Sequence, residues 1–357
     1  MNSLGVLRSE LWDARRLERA LVSAERAHAE HATAARSAED FVPCGCIAHL
    51  ARTYFSTESW LASDVAPLGA LNDAEGSRVS EHVGEHRVVD AHVHLFPDAV
   101  FAALWRWFEQ YGWPIRYKLT TPELLSFLFS RGVDRVVALH YGHKPGMSRS
   151  LNAYIAALAE SEPRVVGLGT VLPGEEDAVE IVRTAHALGL RGLKLHCHVQ
   201  SFAPDGEAAW EIWKTCEALR MPVLIHAGRE PRSPAYPADP ATLCDVSRIE
   251  RVLAAFPRLR IAVPHFGADE VDGYLRLAER HDNLWLDTTM MLSGLFPGDF
   301  FAVLERARPD RVMFGTDLPN VPYAWDRELR QISKARLGDE QLELLLSKVA
   351  LGFFGTP

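Results

Sequence analysis

VVDAHVHLFP, residues 88–97, is the stretch on which the reading of the whole chain turns. It is an apolar, β-rich run carrying two histidines one residue apart, His92 and His94. On a strand successive side chains alternate between faces, so an H-x-H offers both imidazoles to one side. Further along, LRGLKLHCHVQ, residues 190–200, makes the same offer with His196 and His198. One pair is enough to begin a metal site, so the second needs its own explanation.

From Val88 onward the chain keeps a regular beat. Short β-rich runs follow one another: RVVDAHVH, RVVALHY, RVVGLGTV, GLKLHCHV, PVLIHAG, RIAVPHF, LWLDTTM and RVMFGTD. Between them lie helical patterns such as PELLSFLFSRG, AVEIVRTAHALG, AAWEIWKTCEALR and RIERVLAAFP. Alternation of strand and helix implies parallel pairing. Eight units spaced mostly by ~30 residues match a closed (β/α)8 TIM barrel. A doubly wound open sheet is the alternative, but no G-x-G-x-x-G follows the first strand. The domain division expected is a mainly helical N-terminal extension and linker over residues 1–86 and the barrel over residues 87–357.

The polar residues fall where the apolar runs end: His92 and His94, His140, His196 and His198, His226, His265, Asp287 and Asp317. In a parallel barrel those ends converge on the face where active sites are built. A single histidine there is more often a hydrogen-bonded structural residue, but core packing does not explain so many, because a buried polar group is costly unless paired. Imidazole with carboxylate suits zinc, and also manganese, iron or cobalt. By spacing, the best ligand set is His92, His94, His226 and Asp317, with His265 facing the same cavity.

The 357 residues carry a formal net charge of -9, which argues against a nucleic-acid partner. No apolar run is long enough to span a membrane, and the charged N-terminal stretch has no signal-peptide core. Five cysteines do not make a disulfide framework. The expectation is a soluble, reduced, cytoplasmic protein. Residues 6–36 favour helix, and LNDAEGSRVSEHVGEH reads as a polar linker. Cys44 and Cys46 with His49 make an incomplete zinc set, read as ordinary cysteines.

VVDAHVHLFP, PVLIHAG, RIAVPHFG and RVMFGTDLP, in this order, resemble the amidohydrolase superfamily. Within it they are similar to the family-2 branch of metal-dependent hydrolases and nonoxidative decarboxylases, which includes aminocarboxymuconate semialdehyde decarboxylase. The resemblance spans residues 88–355 and is specific for fold and metal, less so for substrate. It implies that His92, His94, His226 and Asp317 bind one divalent metal, zinc first and manganese or iron after it. It also implies that His265 orients or polarises substrate and that Asp317 handles the proton of the attacking water.

Strand four puts Lys194, His196 and His198 on one face. In binuclear relatives a strand-four lysine is carboxylated and bridges two metals, and a second metal is expected here only in that case. The preferred reading has one metal, with Lys194, His196 and Arg229 binding substrate. Arg229 is weighed evenly against a surface ion pair. His198, Tyr323 and His140 are weaker rim candidates. The leading activity is hydrolysis of a C–N or C–O bond in a small carbonyl compound. The alternatives are nonoxidative decarboxylation of a small carboxylic acid and, ranked last, a non-catalytic binding barrel. By family analogy a homodimer is expected.

Overall fold

The computed structural model describes residues 77–230, 238–294 and 299–355. The expected helical extension and the Cys44, Cys46 and His49 group lie outside the described residues.

Eight strands run in the expected order: β1 (Val89–His94), β2 (Arg135–Leu139), β3 (Val165–Gly167), β4 (Leu193–His196), β5 (Val223–His226), β6 (Ile261–Val263), β7 (Leu284–Asp287) and β8 (Val312–Met313). All pairings are parallel, in one ladder β1–β2–β3 and a second β4–β5–β6–β7–β8. Single parallel bridges, Gly169 with Leu193 and Val93 with Leu318, join the ladders at both seams. The Lys194 amide donates to Gly169 O at 2.7 Å and the Ala91 amide to Phe314 O at 2.9 Å. The ring therefore closes, and the barrel read from the sequence is the fold.

The helices form for local reasons. Thr121–Ser130 opens on a capping box, with the Thr120 amide donating to Glu123 Oε2 at 2.8 Å, and buries Leu124, Leu125 and Leu128 against the strands. Val246–Ala255 starts on Asp245, whose carboxylate accepts from the Ser247 amide, and buries Ile249, Val252 and Leu253. One apolar cluster fills the space between strands and helices. A smaller one, including Val89, Ala91, Val137, Leu139, Leu224, Ala262 and Met313, fills the barrel interior and continues into Phe353 and Phe354. The terminal helix Val349–Phe354 thereby closes the N-terminal end of the barrel, where Arg260, just before β6, donates to Gly352 O at 3.2 Å. The opposite end is left to polar side chains.

Three local features depart from the sequence reading. Residues 79–83, expected as polar linker, form a helical turn. Val79 and Val83, one turn apart, bury their side chains, and the Val79 amide donates to Arg131 O at 2.9 Å. β8 ends at Met313 rather than Asp317: the Phe314 amide donates to Leu345 O at 2.9 Å instead of to a strand, and Asp317 beyond it is left-handed (φ 66°). β4 ends at His196, and Cys197–Gln200 forms one helical turn, so strand alternation does not carry through to His198. No described helix is long and apolar enough to cross a membrane.

Candidate metal centre

At the carboxyl ends of the strands, histidines gather into two adjoining groups. In the first, donor atoms of His92, His265 and Asp317 lie within 4.8 Å of one another. His94 joins it, with Nε2 3.1 Å from Asp317 Oδ1, while His92 Nε2 is 3.4 Å from the same oxygen. Ligands on the 2.0–2.1 Å arms of a tetrahedral ion stand about 3.3 Å apart. The spacing fits donors converging on one cation.

β1 places this pair by an irregularity. Its register against β2 shifts between Asp90 and Val93. Val89 and Ala91 belong to the inner apolar cluster, whereas Val93 packs in the outer one. The shift switches the alternation, so the barrel interior passes from apolar side chains to His92 and His94 at the mouth. Gly315 allows the close approach of the segment after β8. A Cβ there would meet Thr289 Oγ1 at 2.5 Å and His92 Cβ at 2.8 Å.

Two carboxylates that the sequence reading left without a role hold the group in place. Asp287, at the end of β7, accepts from His92 Nδ1 at 3.0 Å and from the amides of His265 and Thr289 at 3.1 Å each. A carboxylate has no proton to give, so His92 carries its N–H on Nδ1 and turns the Nε2 lone pair toward Asp317. This is the carboxylate–histidine arrangement that orients metal ligands. Thr289 O does the same for His265, at 2.9 Å from Nδ1. Asp90 accepts from the amides of His92 and Thr316 and from the Thr316 hydroxyl, stitching β1 to the segment carrying Asp317.

The backbone is strained where the chemistry gathers. His265 (φ 55°) and Asp317 (φ 66°) are both left-handed, as are Phe266 and Ala268 beside His265. Each such non-glycine residue costs about 1–3 kcal/mol and persists only when its surroundings enforce it.

Burial sets the charge states. It pushes His92 well below the ordinary imidazole range, with Lys194 adding to the effect. Burial also lowers His94, against the opposing pull of Asp317. The rings are therefore neutral near pH 7, as ligands must be. Burial works to raise Asp317, but the hydrogen bond from His94 and the attraction of His94, His92 and His265 together outweigh it and hold the carboxyl below its usual value. Burial raises Asp90 to about 7 and also raises Asp287.

His226, expected in the first group, stands by geometry in the second. Donor atoms of His196, His198 and His226 lie within 4.8 Å of one another. The His196 and His226 rings stack at 4.0 Å, and His226 lies 4.7 Å from the His265 ring, so the groups share a border. Burial lowers both His196 and His226 well below the imidazole range. Glu230, buried and four residues beyond His226, accepts from His226 Nε2 at 2.6 Å. Its only sequence signal was this spacing in HAGRE.

Lys194 is fully buried, in register with Leu224 of the inner cluster, and its Nζ lies 3.4 Å from His92 Nε2. It and His196 stand at the centre, as expected. Arg229 does not join them. Its side chain is 56% exposed and pairs with Glu270 at 3.1 Å, so the surface ion pair is the correct reading. Of the rim candidates, His198 is more central than expected, because the turn Cys197–Gln200 folds it back onto His226. His140 donates to Asn152 Oδ1 at 3.0 Å, which in turn holds Thr170, and burial lowers it to about 4. The Tyr323 hydroxyl is directed to Glu328 at 3.3 Å. Both are engaged in the surrounding structure rather than in either donor group.

Residues 89–356 match the amidohydrolase family model. The chain belongs to the amidohydrolase family. Among curated proteins, no sequence match is found. Solved structures share the barrel at low identity. An uncharacterised TIM-barrel protein of Bordetella bronchiseptica superposes with a TM-score of 0.62 at 20% identity, covering 76% of this chain and 99% of that one. A 5-carboxyvanillate decarboxylase of Sphingomonas paucimobilis gives 0.60 at 19%, covering 76% and 100%. A 5-carboxyvanillate decarboxylase of Novosphingobium aromaticivorans, with bound manganese and 3-methoxy-4-hydroxy-5-nitrobenzoic acid, gives 0.55 at 17%, covering 78% and 99%.

Proposed function

We propose that this amidohydrolase-family barrel is a metal-dependent decarboxylase of a small aromatic carboxylic acid. The observation that carries the reading is Lys194, a lysine 0% exposed inside the barrel with Nζ 3.4 Å from His92 Nε2. Its amine offers a substrate carboxylate a charge-assisted hydrogen bond, which a neutral ester or amide would accept only weakly. Phe96, Tyr141, His94 and His196 add a wall of rings, with Tyr141 5.6 Å from His94 and 5.3 Å from His196, suited to a flat ring. The 5-carboxyvanillate decarboxylases of the same barrel act on an acid of this kind.

His92, His94 and Asp317 are the residues that would hold the metal, either manganese or zinc. When bound, it supplies Lewis acidity toward the substrate's oxygens. Lys194 fixes the carboxylate, and His265, its Nδ1 committed to Thr289, presents Nε2 to the mouth. Asp317, ionised and buried, would first take up a proton from solvent and then pass it to the ring carbon that bears the carboxylate, returning to its carboxylate form. That carbon gains C–H, the C–C bond breaks, its electron pair returns to the ring, and carbon dioxide leaves. Hydrolysis is the second reading, and it is favoured by Asp317 being held in its basic form.

A screen that follows carbon dioxide release from hydroxylated benzoates beside cleavage of esters, lactones and amides separates the two. Release of carbon dioxide that depends on added metal is expected. Turnover confined to neutral esters, lactones or amides would overturn the proposal.

A further inference from the structure

We infer that His196, His198 and His226, with Glu230 as their carboxylate, form a second divalent-cation site distinct from the group on Asp317. The three imidazoles come from the end of β4, the turn after it and the end of β5, and all are buried. Their donor atoms lie within 4.8 Å of one another. Glu230 is the independent observation. It is 3% exposed, its Oε1 bonds His226 Nε2 at 2.6 Å, and its Oε2 has no hydrogen-bond partner 3.4 Å from His198 Nδ1. Among the described residues its ion pairs are with His198 and His226, not with any lysine or arginine. A carboxylate sealed among imidazoles lacks a fixed cation, and a divalent ion is the species that imidazole and carboxylate together would take.

The chemistry of this group differs from that of its neighbour. Cys244 Sγ lies 2.9 Å from His198 Nε2, bringing a thiol to the edge of the set. Nitrogen with sulfur at hand favours zinc or cobalt over manganese. The site also differs from a lysine-bridged pair of metals. Lys194 Nζ faces His92 on the other side, and the three histidines assemble without it. The inference does not rest on the decarboxylase reading.

The test is stoichiometry. Metal-stripped full-length protein is titrated with Zn2+ and separately with Co2+, following bound metal after gel filtration and the visible cobalt spectrum. Two equivalents are expected for the wild type, one for His196→Gln/His198→Gln, and one for His94→Ala/Asp317→Ala. Circular dichroism shows whether the variants fold. If they do not, the wild-type count decides alone. A single wild-type equivalent that survives His196→Gln/His198→Gln, or that is lost in both double variants, overturns the inference. A single equivalent lost only in His196→Gln/His198→Gln supports it and rejects the Asp317-centred metal instead.

Discussion

Replacing Asp287 with asparagine probes the most specific piece of the geometry. Oδ1 of Asp287 accepts from the amides of His265 and Thr289 at 3.1 Å each, and an asparagine oxygen can keep both bonds. Oδ2 accepts from His92 Nδ1 at 3.0 Å, and there asparagine presents an N–H instead. Two donors cannot share that contact, so the His92 proton must move to Nε2, 3.4 Å from Asp317 Oδ1. The ligand lone pair is then turned away from the metal. Loss of such an orienting partner lowers metal affinity by roughly 10- to 100-fold, about 1.4–2.7 kcal/mol. Asp287→Ala should be worse for folding, since it strands two buried amides at about 1–3 kcal/mol each. Competition against a chromophoric chelator measures the first effect and a thermal melt the second. If Asp287→Asn is folded and binds metal as tightly as the wild type, the orienting role is wrong.

Other substitutions test neighbouring parts of the account. Lys194→Met should lose about 1.5–3 kcal/mol of transition-state binding to an anionic substrate, roughly 10- to 150-fold in kcat/KM, with metal content unchanged. Equal activity in steady-state kinetics would remove Lys194 from substrate binding. Arg229→Ala should leave kcat/KM within about two-fold and reduce stability by at most ~1 kcal/mol, because its ion pair with Glu270 is half exposed. A large rise in KM would restore it as a carboxylate clamp. Burial raises Glu328 well above its usual 4.5. The folded state thus keeps a proton that the unfolded chain releases, and stability falls as pH climbs above about 4.5. Glu328→Gln removes that dependence, so its melting temperature should gain on the wild type as pH rises from 5 to 8 in paired melts. A constant difference would show that Glu328 is ionised in the fold.

The barrel was legible because its signals repeat. Eight apolar runs and their helices fixed the order of elements, and the histidines and aspartates at the run ends located the mouth. What sequence could not convey was the path of the backbone beyond each strand. His198 ranks only as a rim candidate in the sequence because strand alternation is carried past His196, where the chain instead turns into a helix and brings the ring back. Arg229 and Glu230 sit side by side in HAGRE. A left-handed, glycine-assisted loop buries the glutamate against His226 and leaves the arginine outside with Glu270. Asp90 and Asp287 lay in the quoted motifs, yet their roles depend on which amide or ring nitrogen faces them across strands. That is a property of three-dimensional register, not of spacing.

The measurement that bears most directly on the metal centre is metal content by mass spectrometry of wild type beside His92→Ala/Asp317→Ala, both reconstituted with manganese and with zinc. The account predicts that the double variant stays folded and loses one equivalent relative to wild type, together with all turnover. A folded double variant holding as much metal as the wild type would contradict it.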